Sequence, residues 1–262
     1  MVDFVQKSSY DIHDLLRIVS ILRAPGGCPW DGEQTHASLR RSLLEESCEV
    51  IEAINEESPA HLQEELGDVL LQVVFHADIE DEAGRFNFDD VCDGICKKLI
   101  FRHHHVVGDV SVSGSDQVLE NWEELKRKEK AQQTYTDTLT AVAKSLPALW
   151  RAEKVQKKAK KAGFDWDDVQ GAVDKLAEEL SELKEAIVQG TNVQEELGDL
   201  LFAAVNVSRF VEADPEETLN GATEKFIARF AKVEKLALAQ GKDMAQMSLH
   251  ELDKLWEAAK RT

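Results

Sequence analysis

The sequence predicts an all-α protein built from two tandem copies of one helical unit. Only 5 prolines and 14 glycines interrupt 262 residues, and few runs alternate β-branched with polar residues, which favours helices over strands. The acidic hexapeptide QEELGD occurs at 63–68 and again at 194–199, each time leading into an apolar run. A solvated charge run has no reason to recur letter for letter. The two copies therefore indicate one physical task that is carried out twice.

The helices of the first half follow from apolar spacing and from helix breakers. Apolar residues at helical spacing begin at Ile12, and the segment 24–27 (APGG) ends that first helix. The predicted helices of this half are Ile12–Leu22, Leu39–Asn55, Leu62–Ala77 and Phe88–Ile100. The stretch 108–114 (GDVSVSG) is predicted to be a loop.

The second half repeats this plan. A helix is predicted from Val173 to Gln189, and Gly190 stands where a helix ends. Thr191 and Asn192 are expected to cap the next helix, which runs towards Val211. Asp214-Pro215 is expected to open another helix. The turn at 190–192 is expected to be compact, whereas Pro59 is expected to make the corresponding first turn longer.

The two halves align beyond the hexapeptide. The segment 43–54 (LLEESCEVIEAI) lies over 176–187 (LAEELSELKEAI). The alignment also pairs Lys98 and Arg102 with Lys225 and Arg229, and Trp122 and Lys126 with Trp256 and Lys260. We therefore predict two homologous domains, residues 1–130 and 131–262, each a four- to five-helix unit, with the polar segment 128–137 (KEKAQQTYTD) as the linker.

Composition limits the classes of function. The chain has 50 Asp plus Glu against 31 Lys plus Arg, a net charge of −19, which is not that of a general nucleic-acid or membrane binder but suits a protein that holds cations. No apolar run has the length of a membrane span. The four cysteines form no disulfide framework and are predicted to be free thiols. Without a signal peptide at the N-terminus, the predicted location is the cytoplasm.

The acids of the second half have a spacing that suits a metal site. Glu179 and Glu182 are three residues apart and share one helix face, and so do Glu196 and Asp199 on the next helix. A short turn joins these helices, so we expect them to pack antiparallel with the four carboxylates across one seam. Such a seam is costly unless a cation offsets the repulsion. Oxygen ligands select Mg²⁺, or Mn²⁺ as a substitute, over zinc or copper.

The first half offers an equivalent set, which is Glu46, Glu49, Glu65 and Asp68. The neighbouring acids Glu45, Glu64, Glu178 and Glu195 are alternatives, or ligands of a second ion. Gly67 and Gly198 stand inside the predicted helices, where glycine costs about 1 kcal/mol relative to alanine. A close helix approach beside the metal would explain them.

The acidic spacing also has a simpler interpretation. Glutamates in an E-x-x-E pattern usually form a solvated helix face. Here dense apolar residues follow the acids in 200–205 (LLFAAV), and the pattern occurs twice, which favours the metal site.

Magnesium held by carboxylates usually works with phosphates. The chain has no G-x4-G-K-[ST] loop, so cations for phosphate must come from elsewhere. Lys225 and Arg229 are four residues apart on one helix face, and they could bind phosphate or be ordinary surface residues. Trp256 with Lys260 could close the site, or Trp256 could fill the core.

These motifs resemble a known family. The pattern E-E-x-x-E followed by E-E-x-G-D, at 178–182 and 195–199, is similar to that of the MazG nucleoside triphosphate pyrophosphohydrolases, in the all-α NTP pyrophosphatase superfamily. Segments 27–35 (GCPWDGEQT) and 163–166 (GFDW) resemble the openings of that family's two domains. The resemblance covers nearly the whole chain. It implies Mg²⁺-dependent hydrolysis of an NTP or dNTP to the monophosphate and pyrophosphate, with broad base specificity, in a homodimer.

The resemblance also implies roles for single residues of the second domain. The implied metal ligands are Glu179, Glu182, Glu196 and Asp199. The implied nucleotide contacts are Lys175, Glu178, Glu179, Glu196, Lys225, Arg229, Trp256 and Lys260. In the expected mechanism Glu179 or Glu182 takes a proton from the attacking water, and Lys225 and Arg229 stabilise the transition state.

In the family the second domain is credited with the activity. The first domain keeps a second candidate site, which consists of Glu46, Glu49, Glu65, Asp68, Lys98, Arg102 and Trp122. It departs from the second domain at 103–105, where three histidines replace Phe-Ala-Lys. Neighbours on a helix point different ways, so we expect these histidines in a loop near a base or phosphate and not around a transition metal.

Two rival functions remain open at this point. One is a non-catalytic helical protein that binds a nucleotide or another protein through its acidic faces. The other keeps the fold but narrows the substrate to modified or deoxynucleotides, as in related dUTP-hydrolysing enzymes.

Overall fold

A computed structural model describes residues 6–107, 114, 118, 122, 125–127 and 129–261. These residues form helices and contain no strand, which confirms the predicted all-α class. The chain divides into two compact units, Met1–Glu123 and Glu124–Thr262. The domain boundary after residue 130 stays a prediction, and the predicted loop 108–114 lies outside the described residues apart from Gly114. None of the described helices is long and apolar enough to span a bilayer.

Four helices of the first unit begin after a residue whose side chain caps them. The described helices of this unit are α1 (Ile12–Arg23), α2 (Pro29–Gly32), α3 (His36–Asn55), α4 (Pro59–Glu82), α5 (Phe88–Arg102) and α6 (His104–Val107). The side chains of Thr35 and Ser58 accept hydrogen bonds from the first turns of α3 and α4, so both helices begin three residues before their predicted starts. Pro59 occupies the first position of α4, where its missing N–H costs nothing.

Helix α4 is the centre of the first unit. It packs against α1, α3 and α5, and its Val74 and Phe75 form a buried cluster with Val19 and Leu39. The buried guanidinium of Arg23 donates to the Asp78 carboxylate (Nε to Oδ2, 2.9 Å) and to the carbonyl of residue 31 (2.8 Å). This side chain therefore ties the short helix α2 to the core helix.

The helices of the second unit include three that the sequence patterning missed. The unit contains α7 (Tyr135–Thr140), α8 (Ala148–Lys161), α9 (Val169–Gln189), α10 (Val193–Phe210), α11 (Pro215–Ala239), a 3₁₀ turn (Met244–Gln246) and α12 (Leu249–Ala259). No helix was predicted for α7, α8 or α12. The predicted linker 128–137 is wrong at its end, because a capping box at Thr134 starts α7 inside it.

Two helix pairs build the second unit. Helix α9 packs on α10, and α11 packs on α12 around Val233, Ala237 and Leu255. Gly190 ends α9 with a left-handed backbone (φ 70°), as predicted. Asn192 stands at the start of α10, but its φ of 54° is not the extended backbone of a capping residue, and its side chain makes no capping bond. The predicted side-chain cap is therefore wrong.

Candidate active site

The α9–α10 hairpin brings acids of the second unit together. Glu179, Glu196 and Asp199 each offer one carboxylate oxygen, and these oxygens lie within 4.8 Å of one another. Glu179 is only 6% exposed, whereas Asp199 is open to solvent. The structure therefore places three of the four predicted metal ligands in one cluster.

The fourth predicted ligand, Glu182, lies one turn further along α9 and is exposed. Partial desolvation, and then the negative charge of Glu179, raise the pKa of Glu182 above its usual range. The charges of Glu178 and Glu196 act in the same direction. Glu182 therefore interacts electrostatically with the acids of the cluster, although its oxygens are not among the three that converge.

Lys175 balances the buried carboxylate. Its Nζ atom lies 2.8 Å from carboxylate oxygens of both Glu178 and Glu179. These two hydrogen bonds raise the pKa of Lys175 well above its usual range. Lys175, a predicted nucleotide contact, is therefore engaged with the acids in this structure.

The donor set of this cluster fits a hard divalent cation. The converging atoms are all carboxylate oxygens, which are the ligands that Mg²⁺ and Mn²⁺ take in proteins. Glu179, Glu196 and Asp199 would hold the ion, and Glu182 is close enough to feel the same charges. Such an ion would offset the repulsion between the neighbouring carboxylates, which contributes to the raised pKa of Glu182.

The first unit builds an equivalent cluster on α3 and α4. Oxygens of Glu46, Glu49 and Glu65 lie within 4.8 Å of one another, and Glu65 is buried. Desolvation raises the pKa of both Glu46 and Glu65, with further contributions from neighbouring acids that include Asp68. All four predicted acids of this second candidate site therefore lie near one another.

His61 is a residue of this cluster that sequence reasoning missed. Its ring bridges two carboxylates, with Nε2 3.1 Å from Glu65 and Nδ1 2.9 Å from Glu56. The hydrogen bond to Glu56 raises the pKa of His61 above its usual range. The signal was available, because His61 stands four residues before Glu65 on one helix face.

Two expectations about these hairpins are wrong. A Cβ atom added at Gly67 or Gly198 would meet nothing within 4 Å, so no close helix approach explains these glycines within the described residues. The turns 56–58 and 190–192 have the same length, because Pro59 begins α4 and does not interrupt the connection. Turn length therefore does not distinguish the two candidate sites.

The predicted basic and aromatic residues pair in the same way in both units. The guanidinium carbon of Arg229 lies 5.9 Å from the ring centre of Trp256, and that of Arg102 lies 5.7 Å from the ring centre of Trp122. Each pair is a cation–π contact. The repeat therefore extends from the acidic hairpin to the end of each unit.

The structure does not join these basic residues to the acids. Among the described residues, Lys225 and Arg229 form no ion pair with the cluster, and Lys260 pairs with Glu257 instead. Lys98 is exposed on α5 and makes no ion pair in the described part of the chain. Their roles as phosphate contacts stay predictions, which require the triphosphate to bridge α9–α10 and α11.

The three adjacent histidines do not form the predicted loop. His103 ends α5, where its Nδ1 bonds the carbonyl of Leu99 at 2.7 Å, and α6 begins at the next residue. The ring of His103 meets Trp122 edge-on at 4.7 Å between centroids. His103 therefore packs on the aromatic residue of the first unit.

Comparison with known proteins gives one family for both units. The sequence model of the MazG nucleotide pyrophosphohydrolase domain matches residues 34–107 and 158–234. The chain is 44% identical over 255 residues to a nucleoside triphosphate pyrophosphohydrolase of Escherichia coli (strain K12), which covers 95% of this chain and 97% of that protein.

Two further relatives agree with this match. The nucleoside triphosphate pyrophosphohydrolase/pyrophosphatase MazG of Thermotoga maritima is 45% identical over 247 residues, 94% of each chain. The uncharacterized protein YabN of Bacillus subtilis (strain 168) is 47% identical over 248 residues, 94% of this chain and 50% of that protein. Two family matches, each spanning one acidic hairpin, confirm the predicted resemblance: the chain belongs to the MazG nucleotide pyrophosphohydrolase domain family.

Proposed function

We propose that this chain hydrolyses nucleoside triphosphates to the nucleoside monophosphate and pyrophosphate at the acidic hairpin of its second unit. The observation that carries the proposal is the convergence of carboxylate oxygens from Glu179, Glu196 and Asp199 within 4.8 Å. A solvated acidic face would have no reason to bury one of its carboxylates beside the others. The relatives named above, which match nearly the whole chain, support the same activity.

The residues of the site have distinct tasks in this proposal. Glu182, exposed beside the cluster, is the better placed of the two candidate bases, because Glu179 is buried and paired with Lys175. Lys225 and Arg229 would bind the triphosphate and stabilise charge that develops in the transition state. Bound Mg²⁺ would supply charge neutralisation and make a water molecule more acidic.

Several finer features belong to the same proposal. They are Mg²⁺ dependence with Mn²⁺ as a substitute, acceptance of several bases, a homodimer and a cytoplasmic location. The homodimer is supported by large apolar side chains that are exposed on α9, α10 and α11, among them Ile187, Leu197, Leu201 and Phe226.

One experiment tests the activity and separates its rivals. The purified chain is incubated with Mg²⁺ and a panel of NTPs and dNTPs, and pyrophosphate and monophosphate are measured. Release of pyrophosphate from several bases supports the proposal, and release from a single deoxynucleotide or modified nucleotide favours the narrow-specificity rival. Binding without release would identify a non-catalytic module. Full activity in excess chelator would exclude the metal.

A further inference from the structure

A pocket of the second unit lies outside the acidic cluster. It has a volume of about 410 Å³ and opens between α8, the GFDW segment at 163–166 and α10. We call it the Gln156 pocket, after a buried residue in its wall. None of the predicted metal ligands or nucleotide contacts lines this pocket.

The pocket wall holds a polar group that the protein leaves unsatisfied. The side chain of Gln156 is 6% exposed, and its Nε2 donates to the carbonyl of Phe202 at 2.8 Å. The Oε1 atom is buried and has no hydrogen-bond partner. A buried amide oxygen without a partner is unfavourable, so it is expected to accept from a donor that the protein itself does not supply. Gln156 lines the pocket, so a ligand bound there could supply that donor.

The other polar groups of the pocket cancel in charge. Arg209 forms a bidentate ion pair with Asp165, with Nη1 3.0 Å from Oδ2. Arg209 also donates to the Asn206 side-chain oxygen (Nη2 to Oδ1, 2.8 Å), which leaves the amide nitrogen of Asn206 as a donor. A wall with a paired charge suits a neutral polar ligand better than a phosphate.

Aromatic faces are available at the pocket. Phe164, Trp166 and Phe202 line it and are each exposed, Trp166 by 46%. The back of the Trp166 ring is held by α9, because a Cβ atom at Gly171 would meet ring atom Cε3 at 2.9 Å. Exposed, positioned aromatic rings are the usual partners of nucleobases, whose π-faces stack on them.

The pocket stands next to the acids on the same helix face. Asp199, Phe202, Asn206 and Arg209 follow one another at three- and four-residue steps along α10. With a rise of 1.5 Å per residue, the pocket begins about 4.5 Å beyond Asp199 and extends about 10 Å further along the axis. A nucleotide has the same order of parts, since one sugar separates its α-phosphate from its base.

We propose that the Gln156 pocket is the base subsite of the second unit, which holds the neutral ring of the substrate while the phosphates lie at the acids. Trp166 and Phe164 stack on the ring, and Gln156 Oε1 accepts a hydrogen bond from a ring or exocyclic N–H. Every nucleobase that pairs carries such an N–H donor, so the subsite would accept several bases. The inference rests on the proposed function.

The test uses the full chain and variants of the pocket. Gln156→Leu removes the amide and keeps the shape, Trp166→Ala removes the stacking face, and Trp166→Phe keeps it. Gln170→Leu is the matched control, because Gln170 is exposed on α9 and its side chain bonds only Asp174 in the described part of the chain. Thermal melting establishes that each variant is folded.

Binding of nucleosides without phosphate, measured by saturation-transfer NMR, reports on the pocket alone. We expect Gln156→Leu and Trp166→Ala to weaken nucleoside binding about tenfold. Trp166→Phe and the control Gln170→Leu should retain it. Binding of inorganic tripolyphosphate should be unchanged in all four. In turnover, Gln156→Leu and Trp166→Ala should raise KM for NTPs with kcat unchanged.

Two results would overturn the inference. One is equal nucleoside binding by wild type, Gln156→Leu and Trp166→Ala. The other is an altered sedimentation coefficient in these variants with KM unchanged, which would make the pocket a contact between chains. Absence of pyrophosphate release from every NTP by the wild type would instead overturn the proposed function, while the nucleoside titration would still decide whether the pocket binds a base.

Discussion

Each acidic hairpin buries one carboxylate and pairs it with a basic side chain of the same helix. Glu179 is paired with Lys175, and Glu65 is paired with His61, in both cases four residues earlier. In the alignment of the two halves, however, Glu179 corresponds to Glu46 and not to Glu65. The two units therefore bury different members of the same acid set, which gives a physical reason to expect unequal activities.

Substitution of the aligned glutamates tests this asymmetry. Glu179→Gln keeps the shape of the side chain and removes its charge, and loss of one such interaction commonly costs on the order of 10²–10³ in rate. Glu46→Gln should cost much less, because its half-buried carboxylate belongs to the other unit. Pyrophosphate release by both variants at matched folding is the measurement. If Glu46→Gln abolishes turnover and Glu179→Gln does not, the active unit is the first.

Metal binding should be visible without turnover. A cation that binds only the folded cluster raises the melting temperature as its concentration rises above the dissociation constant. We expect Mg²⁺ and Mn²⁺ to raise the melting temperature of the wild type, and a smaller rise for Asp199→Asn, which removes one oxygen ligand charge. Glu185→Gln, at an exposed acidic position of α9 outside the cluster, serves as the control. An equal rise in all three proteins would exclude the cluster as the site.

Glu80 should make stability depend on pH. Hydrogen bonds from Arg85, and then from His36, lower the pKa of Glu80 from 4.5 to about 2. Between these values the unfolded chain binds more protons than the folded one, so this contribution is present above pH 4.5 and is lost as the pH falls towards 2. The difference in melting temperature between wild type and Glu80→Gln should therefore be largest near neutral pH and should shrink in acid. A melting-temperature difference that stays constant between neutral pH and acid would contradict this role of Glu80.

At the scale of elements, the repeated helices carry acids in their N-terminal halves and core residues further on. In α4 the acids of QEELGD precede Val74 and Phe75, and in α10 they precede Ala203 and Val205. A single helix thus anchors the site in the core of its unit. The structural cost is a glycine inside each helix that no described contact requires.

Two helical glycines of the second unit, Gly171 and Gly198, should respond in opposite ways to alanine. A Cβ atom at Gly198 meets nothing within 4 Å, so Gly198→Ala should raise the free energy of unfolding by up to about 1 kcal/mol. Gly171→Ala should lower it, because its Cβ atom would collide with Trp166. Urea unfolding at equilibrium measures both. Destabilisation by Gly198→Ala would indicate that another surface, such as a second chain, meets this helix.

At the scale of the whole molecule, each unit leaves large apolar side chains exposed. Those of α9 and α10 include Leu180, Ile187, Val188, Leu197 and Leu201. Large exposed apolar patches are typical of interaction surfaces. The acidic cluster of the second unit lies on the same two helices.

Sedimentation of the full chain tests the predicted homodimer. We expect a dimer for the wild type, and Leu201→Lys should shift the equilibrium to monomer because it places a charge in an apolar contact. Glu185→Lys makes a comparable change at an exposed acidic position of α9 and should leave the dimer intact. A wild-type monomer at all concentrations would remove the dimer from the proposal and leave the fold unaffected.

The sequence by itself determined the helical class, the duplication and the acids that converge. These follow from local rules, since 3.6-residue periodicity sets which carboxylates share a face and a short turn sets which helices pair. It missed α8 and α12 because neither carries the recurring acidic motif, although Pro147 and Gly163 flank α8. Little in the sequence indicated the role of Gln156, which is a polar residue on the buried face of α8.

Only the tertiary structure decided which acid of each set is buried, and that Gln156, Trp166 and Asn206 line one pocket. These features depend on contacts between residues far apart in the chain, such as Gln156 with Phe202 and Arg209 with Asp165. Helical periodicity determines the face on which a residue lies, but it does not determine what lies opposite. The desolvation that shifts the pKa of Glu182 or Glu65 therefore becomes known only when the helices are packed.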